Sequence, residues 1–209
     1  MGYRALARVQ QARGHGEAAL ATLNAFRQLA RERQFFPLLL EQAAALRAQL
    51  QLMQGDLGAA LRWADGSGLS PDDEISFPRE AAHLTLARVR IAAGQAAAVL
   101  PLLSRLLADA QAKARMHSVV EILTLQALAY DALEERPHAR TTLERALARA
   151  EPDGYIRIFV DAGAAMRGLL AEYRGSPAAR GRTGGEPDAS WLLAYLETLL
   201  AAFPERLEA

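Results

Sequence analysis

At 209 residues, with no cysteine and with 24 basic against 24 acidic side chains, the chain has no disulfide framework, no thiolate nucleophile or metal site, and no net charge with which to hold a phosphate backbone. It is rich in Ala, Leu and Arg and poor in aromatics, the make-up of packed helices. No apolar run reaches the roughly 18 residues that span a bilayer and no signal peptide opens the sequence, so the cytoplasm is the expected setting.

Taken in order, helices are expected over 3–13 and 16–33, with Gly14-His15-Gly16 as the turn between them. A second pair is expected over 37–54 and 57–64, joined by Gly55-Asp56. The stretch 66–74 is dense in turn residues, and Ser70 with Asp73 three positions on fits a short capped helical turn with Pro71 at its first position. The third pair is expected over 78–93 and 96–115; Pro101 either kinks its second helix or marks a late start. The fourth is expected over 117–133 and 138–150. Glu151-Pro152-Asp153-Gly154 then breaks the array. Residues 155–160 have the propensity of a strand, but nothing else in the chain would pair with one, so a short helix is expected there. Helices over 164–174 and 190–203 follow, separated by a Gly-, Pro- and Arg-rich stretch at about 175–189 that reads as a mobile loop.

The pairs repeat one another. Gly14, Gly55, Gly94 and Glu134 mark equivalent turns spaced 41, 39 and 40 residues apart. Seven residues before each stands Ala7, Ala48, Ala87 or Ala127, and five after it Ala19, Ala60, Val99 or Ala139. A period of about 40 with small residues on both helices is the mark of a helical-pair array whose helices approach too closely for large side chains. The expected fold is all-α, a right-handed superhelical solenoid of such pairs over 1–150, with a C-terminal helical cap over 151–209. Charge alternates along it: residues 1–35 carry six Arg against two acids, 36–77 two against six, and 78–115 six bases against two. That pattern gives patches of both signs and no continuous basic stripe, so no direct contact with nucleic acid is expected.

Three stretches have specific wording. The first is Gly68-Leu69-Ser70-Pro71-Asp72-Asp73-Glu74 with Arg79-Glu80 and His83-Leu84-Thr85-Leu86-Ala87-Arg88-Val89. The second is Val120-Glu121-Ile122-Leu123-Thr124-Leu125-Gln126-Ala127-Leu128-Ala129. The third runs from Leu143-Glu144-Arg145-Ala146-Leu147 into Ala150-Glu151-Pro152-Asp153-Gly154-Tyr155-Ile156-Arg157-Ile158-Phe159-Val160-Asp161-Ala162-Gly163. Together they resemble the tetratricopeptide-like sensor region of the large ATP-dependent LuxR-type transcription regulators, the class of the maltose-regulon activator. The resemblance covers about residues 1–203. It implies a module from the middle of a larger protein, with a signal-transduction ATPase before it and a helix-turn-helix after it. In that family effector binding to the repeats relieves an inhibited state, and the protein then self-associates and activates transcription. Neither flank is expected in this chain: no Gly-x-x-x-x-Gly-Lys-Ser/Thr loop occurs, and the glycines at 181–185 lack the Lys and the helix that would follow. Glu134-Glu135 departs from the Gly-Asp usual in such turns, and Ala162 stands where an acid is common.

In tetratricopeptide-like stacks the first helix of each pair lines the concave face. Counting back 13, 10, 6 and 3 positions from each turn marker selects Arg4, Arg8, Gln11, Gln42, Gln49, Arg88, Glu121, Thr124 and Asp131 as candidates for holding a small polar effector or a peptide. The competing reading is a solvated face with some ion pairing between repeats. The same fold without an effector would be a scaffold for a partner protein or for self-association. His83 lies where a large side chain packs between paired helices, and Trp63 where inter-repeat core is expected. No His, Asp and Glu set has metal-ligand spacing, and no nucleophile–base pair or cofactor motif is present, so no metal, no cofactor and no catalysis are expected.

Overall fold

The computed structural model describes residues 2–176 and 190–204, and among them there is no strand. Four helix pairs come first: α1 (Gly2–Ala12) with α2 (Gly16–Glu32), α3 (Pro37–Met53) with α4 (Leu57–Gly66), α5 (Phe77–Ala92) with α6 (Ala96–Ala112), and α7 (Met116–Ala132) with α8 (Arg136–Ala150). A single 3-10 turn, Glu151–Asp153, leads to α9 (Arg157–Val160), α10 (Ala164–Gly175) and α11 (Ser190–Ala201). These are tetratricopeptide-like pairs in an all-α chain. The chain divides into two compact units, Met1–Leu106 and Leu107–Ala209, and the division falls inside α6.

The turn inside each pair has one geometry. Gly14, Gly55, Gly94 and Glu134 sit at φ 80°, 85°, 76° and 61°, the left-handed region that glycine enters without a Cβ clash. In each turn the next residue's N–H reaches back to a carbonyl five positions earlier: His15 to Gln10 (2.9 Å), Asp56 to Gln51 (2.9 Å), Gln95 to Arg90 (2.8 Å) and Glu135 to Tyr130 (2.9 Å). This is the Schellman closure of a helix C-terminus. Glu134 keeps that geometry despite its side chain, so the departure at this position leaves the turn intact.

The small residues are where the helices meet. Ala7, Ala19, Ala48, Ala60, Ala87 and Val99 in the first unit, and Ala127 and Ala139 in the second, are each at most 1 % exposed. In the first unit Ala7 and Ala19 pack with Leu23, Leu46 and Leu50, while Ala60 and Ala64 pack with Leu86 and Val89. Phe26 closes one end of this core, with Tyr3 and Phe35 tilted against it at ring separations of 5.6 and 6.3 Å. In the second unit α7 buries most of its surface, because α8, α9 and α10 all pack against it.

Local expectations fared differently. The strand-like sequence at 155–160 does contain a helix, α9, whose Phe159 is fully buried. The Tyr195 hydroxyl of α11 donates to the Tyr155 carbonyl, tying the last helix to that segment. Helix α6 begins at Ala96 and runs through Pro101, so Pro101 does not mark a late start. Its missing N–H forfeits one helical bond on an exposed face, where water can serve the freed carbonyl. Ser70–Asp73 is a single capped turn: the Ser70 N–H donates to Asp73 Oδ2 (3.0 Å), the Asp72 N–H to Ser70 Oγ (3.2 Å) and the Asp73 N–H to the Ser70 carbonyl (3.2 Å), and no longer helix grows from it. Beyond Ser176, the stretch expected as a mobile loop lies outside the described residues, as do the glycines at 181–185.

Candidate functional site

On α1, Arg4 and Arg8 stand four residues apart and so share a face. Arg4 Nη1 donates to Gln42 Oε1 on α3 (2.7 Å), and Gln42 Nε2 donates in turn to the Pro78 carbonyl at the start of α5 (2.8 Å). The first helices of three successive pairs are thereby joined by one polar ladder. Burial, and then the like charge of Arg8, push the Arg4 guanidinium below its ordinary value. Arg8 is exposed and Gln49 half-buried, and neither makes a hydrogen bond or ion pair with another described residue. Gln11 accepts from Gln54 Nε2 (2.7 Å), a side chain that also donates to the Gly16 carbonyl, so Gln11 helps to seal the first turn. Arg88 is half-buried on α5 and is not free.

The second unit holds the other three candidates. Glu121 is half-buried, 3.9 Å from His117 Nε2 one turn before it. Asp131 pairs with Arg136 (2.8 Å), which also reaches Glu172 of α10 (2.8 Å). Thr124 does not face solvent: it is 1 % exposed and its hydroxyl donates to the Val120 carbonyl of its own helix (2.8 Å). Spacing assigned it to an open face, but on α7 nearly every direction is covered.

A pocket of about 290 Å3 lies between α2, α3 and α4. Arg27, Arg47 and Arg62 line it, one from each helix, together with Trp63. None of the four was selected by the turn-marker count. A signal for one of them exists: Arg47 is the sole basic residue in α3, amid Ala43, Ala44, Ala45, Leu46 and Ala48.

A family model described as the MalT-like TPR region matches residues 1–176. The chain belongs to that family. No curated protein matches the chain.

In this TPR region His83 is fully buried, with Nε2 3.3 Å from Asp73 Oδ2, and Nδ1 has no hydrogen-bond partner among the described residues. It anchors the 70–73 turn to α5, and Arg105 of α6 holds the same turn by donating to the Pro71 and Asp73 carbonyls. The Ser70 N–H, against the opposing effect of burial and with help from His83, keeps the Asp73 carboxyl below its ordinary value. Of the other three histidines, His138 stacks on Tyr130 and pairs with Glu135 (3.0 Å), His117 meets the Tyr155 ring edge-on, and His15 stands at the N-cap of α2 without a side-chain cap bond. Among the described residues no group of three or more His, Asp or Glu is placed to hold a metal ion, and no helix is long and apolar enough to cross a membrane.

Proposed function

We propose that this TPR region is the effector-sensing part of a LuxR-type, ATP-dependent transcriptional activator, working in the cytoplasm alongside ATPase and helix-turn-helix domains of the same regulator. The observation that carries the reading is the Arg4–Gln42–Pro78 ladder with Arg8 and Gln49 beside it. A ladder that spans three first helices senses their spacing, because a ligand bridging Arg8 and Gln49 favours one spacing over another. The role is binding and relay, not bond-making. In the second unit, Glu121 and Asp131 are the side chains offered for the same use; Thr124 is withdrawn from that set by its burial.

The test is a thermal-shift screen of the chain against sugars, nucleotides, amino acids and organic acids. A ligand specific for the native state raises the midpoint by mass action. The expected hit shifts it by several degrees and is lost in Arg8→Ala and in Gln49→Ala. A silent screen, or one in which no hit depends on Arg8 or Gln49, overturns the reading.

One observation favours a second reading, a scaffold for a partner protein or for self-association. Leu6 and Val9, three residues apart on α1, are 49 % and 47 % exposed, with Tyr3 beside them. Co-purification with the flanking domains that survives Arg8→Ala but fails in Leu6→Gln would support it.

A further inference from the structure

The pocket between α2, α3 and α4 has the chemistry of an anion site. Its lining brings Arg27, Arg47 and Arg62 together and includes no Asp or Glu among the described residues. None of the three arginines makes a hydrogen bond or ion pair with another described residue, and Arg47 Nε is buried without a partner. The Arg47 guanidinium nitrogen, withdrawn from water and left unpaired, is costly, whereas Arg27 and Arg62 are exposed and solvated at the rim. That cost is relieved when an oxyanion enters, since a guanidinium fork matches the oxygens of a phosphate or carboxylate. The rest of the wall is mixed: Trp63 is half-buried, Leu23 and Leu40 lie in the same lining, and Asn24 and Gln51 add amide groups. A volume of about 290 Å3 sits at the low end of small-molecule sites, roughly 300–1,000 Å3, and suits one ring with its head group.

We propose that this pocket binds a compact organic anion, its phosphate or carboxylate head held by Arg27, Arg47 and Arg62 and a single flat ring laid against Trp63. The site is separate from the ladder face. At about 100° per residue, Arg47 stands roughly 140–160° around α3 from Gln42 and Gln49. The inference therefore does not rest on the ladder as a binding surface.

Calorimetric titration of the whole chain with phenyl phosphate and with benzoate tests it, with phenol as the neutral probe. One equivalent of either anion is expected to bind, the tighter of the two identifying the head group, and phenol is expected to bind far more weakly. Arg47→Met should lower the affinity at least about tenfold, the loss of a charge-assisted hydrogen bond, without lowering the melting temperature, because Nε gives up no partner. Arg62→Gln is the second variant and should weaken binding in the same way. Failure of both anions to bind, equal binding of phenol, or affinity unchanged in both variants overturns the proposal. Arg8→Ala should leave anion binding untouched. If Arg8→Ala abolishes it while Arg47→Met does not, the anion sits on the ladder face, and this proposal fails while the sensor reading stands.

Discussion

The left-handed turns set the terms at the residue scale. Gly14, Gly55 and Gly94 announce themselves in the sequence because only glycine enters that region freely, and Glu134 was placed by spacing alone. Gln34 and Ala114 were not legible: they adopt the same conformation, at φ 50° and 52°, between pairs instead of within them, and nothing in their chemistry signals it. A side chain there is strained, so Glu134→Gly and Ala114→Gly are each expected to stabilise the chain by up to about 1 kcal/mol, read as a raised urea midpoint, and Gly94→Ala to destabilise it by a similar amount. Asp73 carries a prediction in pH. Its carboxyl lies below the ordinary value in the folded state. The stability it contributes is therefore complete above the unfolded value, about 3.9, and is lost as pH falls through the folded one. Asp73→Asn should lower the melting temperature at pH 7 and flatten its fall below about pH 4; an unchanged acid limb would show that the Ser70 and His83 contacts to it do not stabilise the fold.

At the scale of elements, the helix pairs depend on what their contact positions lack. Ala87 and Ala127 are fully buried where one helix faces the other, so Ala87→Leu or Ala127→Leu should cost about 1–3 kcal/mol through overpacking, whereas Ala98→Leu on the exposed side of α6 should be near neutral. Chemical denaturation of the three variants decides it. These positions were readable because a close approach excludes large residues at a regular interval. Helix α9 was readable only by elimination, since Tyr155–Val160 alternates like a strand and a strand without a partner cannot satisfy its backbone. Thr124 was misplaced because a face count assumes one open side, and α7 is enclosed by three helices. The ladder makes a prediction of its own. Gln42→Leu removes the partner of both Arg4 and the Pro78 carbonyl, which lie where water can reach them, and should destabilise the first unit by about 1 kcal/mol, measured as loss of amide-exchange protection in α1, α3 and α5. The pocket arginines escaped the sequence reading for a related reason. Arg27, Arg47 and Arg62 converge from three helices, and convergence across helices is a property of packing that no spacing along the chain reports.

For the whole molecule, balanced charge is the governing fact. With a formal net charge of zero and an isoelectric point of about 6.9, copies repel one another least near neutral pH. Solubility should pass through a minimum close to pH 7, and the paired change Leu6→Gln and Val9→Gln should make light scattering at that pH less attractive; an unaltered scattering signal would clear α1 of any part in it. The period near 40 made the overall class legible at this scale, since it counts helix pairs directly. The Schellman turns have one further consequence. Each is closed by backbone bonds between residues three to five apart, and α1 packs on α2, α3 on α4 and α7 on α8, neighbours in the chain. Contacts so short in sequence cost little loop entropy, so α1 and α2 are expected to fold on the ribosome as soon as α3, which supplies Leu46 and Leu50 to their core, has emerged, without waiting for the rest to be synthesised. Chains stalled late enough to free α3 (Pro37–Met53) should then already resist proteolysis within α1 and α2, and chains stalled before it should not.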